Sequence, residues 1–301
     1  MDLSGRLKGF IFILIADLLW GLSGTIAKHL FNQQVSPFDL VQVRLTLSAL
    51  LLGLYLLVFN PRLLRIDRRD LGYMLVFGIF GITTVQFTYL YTISQTNVAT
   101  AVFLQYLAPS FILLYELATR KEVISRVKVL SLASALLGGL LIVKGNPASG
   151  MAVNLPGLIS GLASAATFSF YTIYGKSGLA RYSPWTMLVW GMGVGALAWC
   201  FYRLPWNTFF SYGSSDWLFF LYIAVFSTII PFGLFFQGLK HLTPVVTGIT
   251  STMEPVLAGI LAYFILGEVL TGMQLVGCTL IITAVVLVQL KEENPAGNAP
   301  G

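Results

Sequence analysis

Of 301 residues, 56% are hydrophobic and only 10% charged, which excludes an ordinary soluble domain, where about a quarter of residues carry charge. A net charge of +6 would point a soluble protein toward nucleic acid. Here the basic residues flank apolar runs, as membrane topology requires, and no nucleic-acid partner is expected. Cys200 and Cys278 sit inside apolar runs, and His29 and His241 lie at separate segment ends. That pattern gives no disulfide framework, metal site or cofactor site to expect.

Arg6 and Lys8 precede the run GFIFILIADLLWGLSGTIAKHLF. Its apolar part, about 20 residues, exceeds the 7–15 of a signal-peptide core, so it reads as a retained first span. Since a span needs roughly 20 apolar residues, further spans are expected near 39–59, 70–94, 98–117, 126–144, 154–176, 184–203, 215–239, 245–265 and 270–290, the first covering 8–30. The expected class is an all-α integral membrane protein of ten transmembrane helices. The polar, Pro- and Gly-rich tail, 291–301, is expected to be disordered and cytoplasmic.

With the N-terminus inside, fourteen of the eighteen Lys and Arg residues fall on the inner side. Lys28, Lys144 and Arg203 fall outside, and Arg44 lies within a span. The bias places both termini in the cytoplasm.

The block YLAPSFILLYELATRKEV (106–123) aligns with TMEPVLAGILAYFILGEV (252–269) at an offset of 146, pairing Pro109 with Pro255 and Glu122 with Glu268. Asp70 pairs with Asp216 at the same offset, SPF (36–38) with SPW (183–185) at 147, and Gly9 and Lys28 with Gly157 and Lys176 at 148. So ordered a series makes the chain two five-span units, 1–148 and 149–290. Because five is odd, the second unit enters the membrane inverted, an arrangement that lets one half rock against the other around a midplane site.

ADLLWGLSGTIAK in the first span, the arginine in VQVRLTLSALLL, and MEPVLAGILAYFILGEVLTGMQLVGCTLIITAVVLV near the end resemble the ten-helix EamA-type members of the drug/metabolite transporter superfamily. The resemblance covers about residues 8–290. It implies secondary transport, often export, of small metabolites such as amino acids, and a central cavity lined by helices 1, 3, 4, 6, 8 and 9.

Ionisable groups at the bilayer centre are costly and normally face a bundle interior or wet cavity. Glu254 and Asp17 fall near the middle of their spans, and these two are candidates for binding substrate or a coupling proton; a carboxylate shielded from water can exchange protons near neutral pH. Thr247, Thr250, Ser251 and Glu254 share one helical face, as do Ser160, Ser164, Thr167, Tyr171 and Tyr174. Trp20, Gln86, Tyr89, Gln105 and Tyr106 complete the candidate set. For any single Ser or Thr, helix-to-helix packing is the competing role. Arg44 reads as a structural charge, paired with carbonyls or a carboxylate, with substrate contact as the alternative.

Pro109, Pro231 and Pro255 fall inside spans, where each removes a backbone donor and is expected to kink its helix at a gating point. Glu122 and Glu268 precede helix N-termini and are read as structural charges, and TGMQ (271–274) as a capping box. GLSG (21–24) resembles an intramembrane serine-protease motif but lacks a histidine within reach. GMGVG (191–195) lies inside a span, so Gly191 and Gly195 read as close helix packing. No enzyme activity is expected.

The sequence therefore reads as a secondary transporter of a small-molecule substrate in a bacterial cytoplasmic membrane. Amino-acid export, aromatic residues included, by alternating access is the leading expectation. An exporter of organic cations or drugs is the alternative, and a channel a further one. Since one chain holds both halves, a monomer suffices.

Overall fold

The computed structural model describes residues 3–119, 125–145, 154–209, 211–266 and 269–291, and all regular structure among them is helical. Glu122, Glu268 and nearly all of the 291–301 tail lie outside the described residues. The first half comprises α1 (Leu3–Asn32), α2 (Pro37–Phe59), α3 (Leu71–Val76), α4 (Thr84–Gln95), α5 (Val98–Gln105), α6 (Ala108–Thr119) and α7 (Arg126–Gly145). The second comprises α8 (Leu155–Gly178), α9 (Pro184–Trp199), the short α10 (Pro205–Phe209), α11 (Ser214–Ala224), α12 (Ile230–His241), α13 (Pro244–Ser251), α14 (Glu254–Leu266) and α15 (Gly272–Lys291).

Ser36, Asn97, Asn154 and Ser183 cap α2, α5, α8 and α9 by accepting hydrogen bonds from first-turn amides, which satisfies donors a helix start leaves open. Eight segments are long and apolar enough to cross a membrane: Gly5–Asn32, Pro37–Phe59, Arg68–Gln95, Val98–Thr119, Arg126–Gly145, Asp216–His241, Pro244–Phe264 and Gly272–Leu290. The other two expected spans, α8 and the 16-residue α9, are helical but outside that set.

Packing exchanges the halves. α1 lies against α12 as α8 lies against α4; α2 packs on α9, α6 on α13, and α7 on α15. Local details repeat too. Lys28 Nζ donates to the carbonyls of Ile93 (3.1 Å) and Thr96 (2.8 Å) at the end of α4. Lys176 Nζ donates to those of Leu239 (2.6 Å), Lys240 (3.2 Å) and Leu242 (2.8 Å) around the end of α12. Ile93 and Thr96 map onto Leu239 and Leu242 at the offset of 146. Each lysine thus satisfies carbonyls that a helix C-terminus leaves open.

Two π-helical segments, Phe77–Thr83 and Val225–Ile229, interrupt the third and eighth spans at corresponding places. In each a threonine hydroxyl donates to the carbonyl five residues back, Thr83 to Gly78 and Thr228 to Ile223, both at 2.8 Å. Gly191 and Gly195 do serve close packing: a Cβ on either would meet Ile82 at 2.5 Å or the Thr83 hydroxyl at 2.4 Å.

The fourth and ninth spans are broken rather than bent. α5 ends before Tyr106 and α6 restarts at Ala108; α13 ends before Thr252 and α14 restarts at Glu254. Pro109 and Pro255 thus lie in the first turn of a new helix, where a missing N–H removes no helical bond. Pro231 likewise begins α12, directly after a π-helical segment.

Candidate functional site

The two helix breaks meet. The Tyr106 hydroxyl, from the first break, donates to Glu254 Oε2, at the second, across 2.5 Å. Glu254 is 6% exposed. It occupies the first turn of α14, where the positive end of the helix dipole favours a carboxylate. Glu254 and its neighbour Pro255 both suit the start of a helix. A helix restarting inside the bilayer needs a residue that can dispense with its N–H, and its open amides favour an anion.

This pair separates two spaces. One is a small pocket of about 30 Å³ lined by Trp20, Ser23, Arg44, Val85, Gln86, Tyr89, Gln105, Tyr106, Phe168, Phe232 and Glu254. Its walls come from spans 1, 3, 4, 6, 8 and 9, with Arg44 added from span 2. The other is a cavity of about 650 Å³, walled largely by apolar side chains such as Leu22, Ile26, Val102, Phe103, Leu261 and Ile281. It runs from Tyr106 and Glu254 to Lys28, Asn97 and Gln274, toward the end of the bundle carrying the α1–α2 and α4–α5 turns.

Of the residues expected to bind substrate or protons, Trp20, Gln86, Tyr89, Gln105, Tyr106 and Glu254 come together around the small pocket. Gln86 is 1% exposed, and neither end of its amide has a hydrogen-bond partner among the described residues. Gln105 Nε2 donates to Ser164 Oγ at 2.9 Å. Asp17 lines neither space. It is fully buried, both its oxygens lack hydrogen-bond partners among the described residues, and it lies within electrostatic reach of Glu254.

The remaining candidates stand apart. Tyr171 is buried, stacked with Phe77, Phe235 and Phe236 and met edge-on by Phe232. Tyr174 stacks on Tyr73 at 4.4 Å. Thr250 donates to Val246 within its own helix at 2.8 Å, and Ser251 is buried beside it in α13. Along α8, Ser160 accepts from Thr92 at 2.8 Å and Thr167 meets Thr88 at 3.3 Å. Those contacts are interhelical packing of the kind small polar residues make in membranes.

Arg44 Nε donates to Thr228 Oγ1 (2.6 Å) and Nη2 to the Ser227 carbonyl (2.7 Å), both in the π-helical segment of span 8. Beside it Ser48 Oγ donates to the Ala224 carbonyl at 3.1 Å. The wall residues that sequence reasoning missed are Ser23, Val85, Phe168 and Phe232. Ser23 stood in the rejected GLSG motif, and the others are apolar positions with no signal apart from the fold.

The model of the EamA-like transporter family matches the chain twice, over residues 7–144 and 155–290. An uncharacterised inner membrane transporter, YicL of Salmonella typhimurium, is 30% identical over 293 residues, 96% of this chain and 97% of that protein. The threonine/homoserine exporter RhtA of Salmonella typhimurium is 26% identical over 280 residues, 91% of this chain and 88% of that one. A crystal structure 20% identical in sequence superposes with a TM-score of 0.77, covering 99% of this chain and all of the other, and so shares its fold.

Proposed function

The chain belongs to the EamA-like transporter family, and we propose that it is a secondary exporter of amino acids, aromatic ones included, in a bacterial cytoplasmic membrane. The observation that carries this reading is the 650 Å³ cavity ending on the Tyr106–Glu254 pair. Its apolar walls suit a side chain, and Glu254 offers an ammonium group its counter-charge. The similarity to a threonine/homoserine exporter points the same way.

With both termini in the cytoplasm, the cavity opens outward and the small pocket lies at its inner end. Transport then rocks the half 1–148 against 149–290, with the helix restarts at Pro109, Pro231 and Pro255 as hinges. Glu254 binds the substrate ammonium or a coupling proton, Asp17 is a second proton site, and Trp20, Gln86, Tyr89, Gln105 and Tyr106 shape the passage. Tyr171, Tyr174, Thr250 and Ser251 act from behind that wall. A monomer contains the whole path.

A second reading, export of organic cations, is favoured by Glu254 in the wall of an apolar cavity, with a second buried carboxylate, Asp17, within its electrostatic reach. Counterflow in proteoliposomes, loading each amino acid and several organic cations in turn, separates the two. Accumulation of label driven by an unlabelled amino acid supports the first. Exchange with cations alone supports the second. Conductance without counterflow would make the chain a channel.

A further inference from the structure

Three features of the surroundings of Arg44 ask for a ligand. It forms no ion pair with a carboxylate among the described residues, and the two bonds its guanidinium makes go to a hydroxyl and a carbonyl. A guanidinium has five donors, and this buried cation, which faces neutral acceptors and the Phe232 ring at 5.6 Å, has no counter-charge among the described residues to compensate it. The pocket it lines also contains Gln86, whose buried amide is unpartnered among the described residues.

The internal repeat supplies a control. At the offset of 147, Arg44 maps onto Gly191 and Ser48 onto Gly195. The glycines pack against the π-helical segment of span 3, whereas Arg44 and Ser48 hydrogen-bond that of span 8. Holding a π-helical segment against its neighbour therefore does not require an arginine. The charge is surplus to that role.

The compartments add a dimension. About 30 Å³ accommodates roughly two or three heavy atoms, a carboxylate and little more. The adjoining 650 Å³ accommodates the rest of a small molecule, and Glu254 stands in the wall of both. Building on the export reading above, we propose that Arg44, with Gln86, binds the substrate carboxylate in the small pocket, while Glu254 takes the adjacent ammonium and the side chain extends into the wide cavity. The site thus selects free zwitterionic α-amino acids over their amides and over simple amines. Arg44 offers a planar fork that a lysine cannot reproduce.

The test measures binding of L-phenylalanine and L-threonine to purified protein, each beside its amide, which keeps the ammonium and loses the carboxylate charge. In the wild type the amides bind roughly tenfold to a hundredfold more weakly. Arg44→Lys abolishes that discrimination by weakening the amino acids alone, and Ser48→Ala keeps it. Amides binding as well as amino acids to the wild type would overturn the role of Arg44 and leave amino-acid export standing. So would a folded Arg44→Lys protein that still discriminates. If folded wild type binds neither form, the export reading falls and takes this one with it. The wild-type comparison decides the matter even where the arginine variant does not fold.

Discussion

Exchanging Glu254 for Gln retains the shape of the side chain and an acceptor for the Tyr106 hydroxyl, now 2.5 Å away, and removes only the charge. An ammonium about 4 Å from a carboxylate gains about 4 kcal/mol at an effective dielectric of about 20. Stripping both ions of water takes back part of that. What remains is about 1.5–3 kcal/mol, the usual net contribution of a hydrogen bond to a charged group. The variant should therefore bind an amino-bearing substrate roughly tenfold to a hundredfold more weakly. The assay is the concentration dependence of initial counterflow in proteoliposomes between pH 5 and 8. Protons compete with the ammonium for one carboxylate, so wild-type affinity falls as pH falls, whereas the variant is weak and flat. Identical affinities and identical pH profiles would sink the argument and leave Glu254 as a charge stabilising the start of α14.

A methyl group on Gly138 would lie 2.6 Å from the Gly277 carbonyl, and one on Gly277 2.6 Å from the Gly138 carbonyl. Either Ala variant should cost about 1–3 kcal/mol by forcing α7 and α15 apart. The double variant should cost less than the sum, because one separation relieves both clashes; additive losses in detergent melts would contradict this. Lys176→Met abandons three carbonyls and should destabilise by about 1.5–3 kcal/mol, seen as a lower melting temperature; an unchanged one would mean water replaces the lysine. Outside the membrane, burial and then the hydrogen bond to Asp39 push the Tyr212 hydroxyl up to about 12. A folded value above the unfolded one, about 10, means the stabilisation is full below pH 10 and is lost as pH rises toward 12. Tyr212→Phe should flatten stability over that window relative to wild type.

Much of this was legible in the sequence. The 146-residue spacing pairs Pro109 with Pro255, and those positions prove to be matched helix restarts. Glu254 announced itself because a charge among apolar residues is costly and persists where it faces a bundle interior or a wet cavity. The π-helical segments left no such mark, since they shift the register of backbone bonds, and Thr83 and Thr228 look like any other threonine. A helical face also proved too coarse a guide. Ser164 and Tyr171 share one stripe of α8, yet Ser164 meets Gln105 beside the small pocket while Tyr171 is enclosed by phenylalanines.

The contact between Gly138 and Gly277 also bears on how the chain is made. Residues this far apart emerge from the ribosome roughly 7 to 30 s apart at about 5–20 residues per second. Over that interval α7 is in the bilayer with its glycine face turned to lipid and its eventual neighbour still untranslated. Small-residue faces are the ones on which membrane helices associate. The last helix of the first half is therefore open to pairing with another nascent chain until α15 arrives and ends that exposure.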